Sequence, residues 1–248
     1  MKYLLSLFLA LFFCVSGMAQ AINGVITYNR KTDWVSIMTK MPWMTKEDVN
    51  RAMLNFGNME KGEGTNYLLY FNENSSLYMQ KEEEETTGGY ARKKGKFALQ
   101  RNYKSKKVHD WIETLGKKYV IKDELPKTKW KILNEIKEVS GYLCMKAETI
   151  DTIKDRQIYA WYTDAIMLTG GPEGYGGLPG MILELNINDG DAIITATKVD
   201  LTLPDGKLPA PKKIKGKEIS IVDFNRLNSK YIRESMEGKR NPYWRIRY

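Results

Sequence analysis

Tight turns set between apolar, strand-like runs are the feature that most limits what this chain can fold into. Asn188-Asp189-Gly190-Asp191 places an Asp-Gly step between two apolar segments, a strong short-range signal for a β-hairpin. Leu203-Pro204-Asp205-Gly206 sets Pro and Gly where a β-turn favours them. Glu73-Asn74-Ser75 makes a polar turn between two further runs. Strands joined this closely run antiparallel, because a parallel pair needs a long crossover. Period-two patterning predicts strands at Asn66–Asn72, Ser76–Lys81, Trp130–Leu133, Gly141–Asp151, Arg156–Thr163, Met181–Asn186 and Ala192–Leu201. The expected fold is mostly β: a single antiparallel, strongly curved meander sheet, half-barrel-like, with one or two helices.

One helix is marked by Thr45 as a cap, Glu47 and Asp48 in the first turn, Val49, Ala52, Met53 and Phe56 on one face, and Gly57 as a stop. Asp223–Glu237 carries Phe224, Leu227 and Tyr231 on one stripe and ends at Gly238. Glu82–Lys96, with four glutamates, then Gly88-Gly89, then basic residues, reads as an exposed hairpin tip or loop.

The first 19 residues have the form of a signal peptide: Lys2, an apolar run from Leu4 to Val15, and Gly17-Met18-Ala19 ahead of a cut before Gln20. The run is shorter than the roughly 20 apolar residues a span needs, and no later stretch is long and apolar enough to cross a bilayer. A lipoprotein reading at Cys14 is disfavoured by the bulky Phe12 and Phe13 before it. Residues 20–248 then form one mostly-β domain, expected to be exported to the periplasm or the outer membrane. Cys144 is its one cysteine, too few for an internal disulfide, and its apolar neighbours suggest a buried thiol.

The chain carries a net charge of +9, with basic clusters at Arg92–Lys96, Lys104–Lys107 and Lys212–Lys217. These lack regularly interleaved aromatics, so nucleic acid is not an expected partner. Catalytic groups are sparse. His109 is the only histidine and sits among charged residues, and there is no Gly-x-Ser-x-Gly elbow. One His and one Cys do not make a zinc site. Carboxylate pairs such as Glu173 with Glu184, or Asp164 with Glu173, have a separation that sequence cannot give. No cofactor is expected. Met38, Met41 and Met44 stand three apart beside Trp43, a spacing that suits soft Cu(I), although methionine is also an adaptable filler of apolar grooves.

Gly170 to Leu185 packs six glycines and two prolines ahead of an apolar strand. It lacks the Gly-Lys-Ser/Thr ending of a phosphate loop and enters a strand rather than a helix, so a structural role is expected. Gly177-Leu178-Pro179-Gly180-Met181-Ile182, with Gly141–Ala147 and Tyr159-Ala160-Trp161-Tyr162 upstream, resembles the GLPGLI family of exported Bacteroidetes-type proteins. That resemblance implies a cell-envelope location and proximity to outer-membrane transporters, with no catalytic residues to carry over.

Arg156–Thr163 sets Ile158, Ala160 and Tyr162 on one face and Tyr159 and Trp161 on the other. Apolar mass on both faces suggests a sheet that shelters something. The resulting expectation is a non-enzymatic envelope binding protein holding a lipid or apolar peptide. Its groove is lined by Met53, Tyr67, Tyr70, Tyr142, Tyr159, Trp161 and Tyr162. The alternatives are an accessory subunit docking on an outer-membrane transporter, aided by the aromatic, basic tail Asn241–Tyr248, and Cu(I) binding through the methionines.

Overall fold

The computed structural model describes residues 22–57, 64–81, 96–211 and 215–248. The expected signal peptide, Cys14, Met59, most of Glu82–Lys96, the side chain of Phe56 and part of Lys212–Lys217 lie outside the described residues.

Among the described residues there are twelve strands: β1 (Gly24–Thr32), β2 (Thr65–Asn72), β3 (Ser75–Gln80), β4 (Phe97–Asn102), β5 (Lys107–Thr114), β6 (Lys117–Glu124), β7 (Lys131–Val139), β8 (Tyr142–Asp151), β9 (Arg156–Thr163), β10 (Met181–Ile187), β11 (Ala192–Asp200) and β12 (Lys217–Ile219). Three helices accompany them: α1 (Trp34–Thr39), α2 (Lys46–Phe56) and α3 (Ile221–Glu237). All strands belong to one open sheet in the order β12-β6-β5-β4-β3-β2-β1-β11-β10-β9-β8-β7. The meander expectation holds for each hairpin-connected pair. The sheet as a whole is nevertheless mixed, because β12 returns from the far end of the chain and pairs parallel to β6. A purely antiparallel half-barrel is therefore corrected to an open, mixed, mostly-β sheet.

Both expected helices form. Thr45 and Asp48 make a capping box at the start of α2, so two otherwise unpaired amides at that helix end find partners. Ser220 caps α3 by accepting from the Asp223 amide, and Gly238 follows the last turn. α1 is an addition: Asp33 caps it through the Ser36 amide, and Val35 and Ile37 are buried.

The main core lies on one face of the sheet. Pairing aligns Ile26, Leu69, Tyr78, Leu99, Asp110 and Ile121 across β1 to β6, and all six are buried. Ile158, Ala160, Tyr162, Leu185, Ile194 and Ala196 extend the same core through β9 to β11. Other segments of the chain cover it: Ile37 and Met41 around α1, Ile166, Leu168 and Leu178 from the glycine-rich connection, and Tyr248 from the tail. A smaller cluster of Leu77, Ala98, Trp111 and Val120 occupies the opposite face, with Tyr70, Met79 and Leu208 packed on it.

Candidate functional site

The glycine-rich connection between β9 and β10 is built to carry a charge inward. Gly171 lies flat under Ile182, where a Cβ would come within 2.7 Å, and Gly180, at φ +147°, packs so closely on the Thr163 carbonyl that a Cβ there would stand 2.0 Å from its oxygen. Leu178, Met181 and Ile182 are buried. Between them Glu173 adopts a left-handed conformation, φ +56°, and turns its carboxylate into the core face. There it accepts from Arg30 on β1 at 3.0 Å, from Tyr78 on β3 at 3.2 Å, and from two nitrogens of Arg247 at 2.5 Å. Burial alone would push this carboxyl up; the Arg247 and Arg30 charges overcome it and hold its pKa down to about 2. The tail is thus clasped to the sheet. Arg247 also lies over the Tyr67 and Phe97 rings. The Tyr248 hydroxyl donates to Asp191, and Arg156 is stacked on the Tyr243 and Tyr248 rings. Asn241–Tyr248 is therefore a packed part of the fold rather than a free docking arm.

These contacts correct the groove expectation. Tyr67 and Tyr162 are fully buried in the main core, and Tyr142 is packed against its edge. Tyr70 belongs to the smaller cluster on the other face. Met53 is exposed on α2. The seven residues therefore do not line one groove: the chain fills its own apolar face. The Cu(I) reading is corrected as well, because Met41 is sealed in the core and Met44 packs against it. Their three-residue spacing follows successive turns in which Met41 and Met44 amides donate to the Met38 and Met41 carbonyls.

Tyr159 and Trp161 behave differently. Both stand half-exposed on the outer face of β9, as their alternation with the buried Ile158, Ala160 and Tyr162 requires. Register aligns one row across six strands: Lys146, Trp161, Glu184, Thr195, Asn29 and Asn66. The adjacent row holds Glu148, Tyr159, Asn186 and Ile193. Polar groups knit the rows together. Lys137 pairs with Glu184 at 2.5 Å, Thr195 donates to Glu184 at 3.0 Å, Lys146 reaches Glu135 at 2.9 Å, and Gln157 donates to Glu148 at 3.2 Å. The Lys137 ammonium sits 4.5 Å from the Trp161 ring centre and Lys146 sits 4.6 Å from that of Tyr159. Such cation–π contacts are worth on the order of 0.5–1 kcal/mol at exposed sites, weak enough for a ligand to displace. The result is a flat platform of two rings bordered by carboxylates, amides and ammonium groups. Sequence reasoning found both rings but not their polar border, which is visible only once strand register places Lys146 and Glu184 beside Trp161.

His109, half-buried in β5, stacks on Trp111 with ring centres 4.0 Å apart. Cys144 is buried, and its thiol is pushed up to about 11 by burial. Among the described residues no group of three or more His, Cys, Asp or Glu side chains could hold a metal ion, and no helix is long and apolar enough to cross a membrane.

A single open β-sheet, braced internally by an ion cluster and presenting a polar aromatic platform, defines this as a β-sheet module. The comparisons carry the assignment further. Residues 73–224 match the family described as N-glycanase peptide, N-terminal domain, and the chain belongs to that family. Two solved structures of PNGF-II, in the P21 and C2 crystal forms, share its fold, each with a TM-score of 0.54. Their identities are 16% and 19%, and the alignments cover 84% of this chain. The chain spans about a third of the length of those structures, 33% in each case. No curated protein matches it in sequence. The GLPGLI resemblance is corrected by this match: in Gly177–Ile182, Gly177 supplies a left-handed turn and Gly180 admits close backbone approach, so that Leu178, Met181 and Ile182 can enter the core.

Proposed function

We propose that the chain is a non-catalytic recognition module that binds the carbohydrate of N-glycosylated proteins or peptides on the outer face of β8 to β11. The lipid-carrier reading gives way to this one, since the apolar face is occupied by the chain itself. The observation that carries the proposal is the row Lys146–Trp161–Glu184–Thr195 with Tyr159 beside it. Sugar rings offer apolar C–H faces edged by hydroxyls. A ring pair bordered by acceptors and donors complements both features.

Family membership supports the substrate class, because the family's own description names an N-glycanase peptide. A binding rather than cleaving role is supported by the engagement of Glu173: its carboxylate is tied to Arg30, Tyr78 and Arg247 inside the fold and held near pKa 2, so it has no proton to donate near neutral pH. The exported location expected from residues 1–19 puts the module where glycoproteins are met outside the cell.

Calorimetric titration with an N-glycosylated peptide and with the same peptide stripped of its glycan tests the proposal. Binding is expected for the first only. Trp161→Ala should weaken it by on the order of tenfold or more, the range of one lost aromatic contact at a binding site, while leaving the circular dichroism spectrum unchanged. Equal affinity for both peptides, or an unaffected Trp161→Ala variant, rejects the platform as the glycan site.

A further inference from the structure

At the opposite end of the sheet, α3 leans over the β6–β12 edge and leaves an open cleft of about 330 Å³. Lys117, Tyr119, Lys217, Ile219, Asp223, Arg226, Leu227 and Lys230 line it. Local sequence fixes this geometry. The Ile221 amide donates to Asp123 at 2.9 Å and Lys122 pairs with Glu218, so the start of α3 is tied to β6 directly and through β12. Phe224 meets the buried Tyr119 ring edge-on, 5.9 Å between centres, which sets the helix at a fixed distance from the strand.

The charge in the cleft is one-sided. Four cations face one carboxylate, and that carboxylate, Asp223, is already engaged by Arg226 and by the Ser220 hydroxyl. Lys230 reaches only as far as 3.7 Å from Glu234. Lys117 and Lys217 make no ion pair among the described residues, although they belong to neighbouring strands. Gathering like charges around a partly apolar floor costs stability through repulsion, and the cost is recovered when an anion enters between them.

We propose that this cleft is a second binding site, distinct from the aromatic platform, for an oxyanion-bearing saccharide. The sulfate, phosphate or carboxylate group would sit between Lys117, Lys217 and Lys230, and the sugar body would rest on Ile219 and Leu227. Lys217, one of the basic residues singled out in sequence, thereby acquires a partner class, acidic glycan rather than nucleic acid.

Titration of the full chain at physiological ionic strength tests this with three probes: a sulfated heparin disaccharide, an oligogalacturonate and inorganic pyrophosphate. Binding of either saccharide supports the proposal and identifies the anion; binding of pyrophosphate alone shows an anion site without saccharide recognition and overturns it. The Lys117→Gln/Lys217→Gln double variant should lose affinity by on the order of tenfold or more. A charge-matched control, Lys127→Gln/Lys129→Gln, removes two exposed lysines from a loop elsewhere and should bind like the parent. Equal losses in both variants indicate non-specific attraction to a basic protein and sink the proposal, as does the absence of binding by all three probes. Heat-denaturation curves of each variant without probe separate lost binding from lost folding.

Discussion

Arg247 grips Glu173 with two parallel hydrogen bonds, Nε to Oε2 and Nη2 to Oε1, both at 2.5 Å, across 74 residues of sequence. This fork joins the glycine-rich connection to the tail, and Arg30 on the opposite side of the carboxylate joins both to β1. Glu173 and Arg30 are shielded from solvent, with side-chain exposures of 8% and 5%. Solvent screening therefore does little to weaken the cluster.

Glu173→Gln leaves two buried guanidinium groups facing a neutral amide. Loss of one partner from a buried ion pair costs roughly 3–5 kcal/mol, and urea unfolding should show a loss of that order. The pH dependence follows from the depressed pKa. A carboxyl near 2 in the folded chain and near 4.5 when free contributes its stability fully above pH 4.5 and loses it as pH falls toward 2, about 3 kcal/mol in all. The parent should destabilise through that window, and Glu173→Gln should show a shallower decline there.

Gly180→Ala tests whether the motif is a packing device. The new methyl would meet the Thr163 carbonyl at 2.0 Å in a conformation that L residues rarely adopt. Destabilisation of roughly 2 kcal/mol or more is expected, seen as a lower Tm or as insoluble protein. Gly177→Ala has open space around its Cβ, so it suffers backbone strain without the clash and should cost less.

Tyr248→Phe removes the donor to Asp191 while keeping the ring against Arg156. Asp191 retains Ser36 and Lys40, at 2.6 and 2.7 Å, so about 1 kcal/mol is expected. Deleting 242–248 also removes Arg247, and the loss should then exceed that of Glu173→Gln because the Tyr67 and Phe97 rings are uncovered too. A deletion with native stability would show that the tail does not brace the core.

Cys144 should resist a thiol reagent at pH 8 in the folded protein and react on unfolding. The thiol is buried and its pKa lies about 11, so the reactive thiolate is scarce. Prompt labelling of native protein would show that the β8 edge opens.

Legibility in the sequence followed the purity of the local pattern. β9 was readable because inward and outward positions alternate cleanly, Ile158, Ala160 and Tyr162 against Tyr159 and Trp161. β5 was not, because its inward position Asp110 is a buried charge paired with Arg101 on β4, which erases the apolar period. α1 is only six residues long, too short to show a helical stripe. The ligand groove failed for a different reason. Apolar residues on two faces do not say what meets each: here the tail and the glycine-rich connection cover the core face, while Tyr159 and Trp161 stay half-exposed on the other. The platform was half legible: the rings are visible in β9, whereas Lys146, Glu184 and Thr195 become their neighbours only through pairing with other strands.

The clasp between residues 173 and 247 also sets a timetable for synthesis. Until Arg247 has been synthesised, Glu173 lacks its fork partner and the Tyr67 and Phe97 rings lack the guanidinium that covers them, so this brace cannot form early.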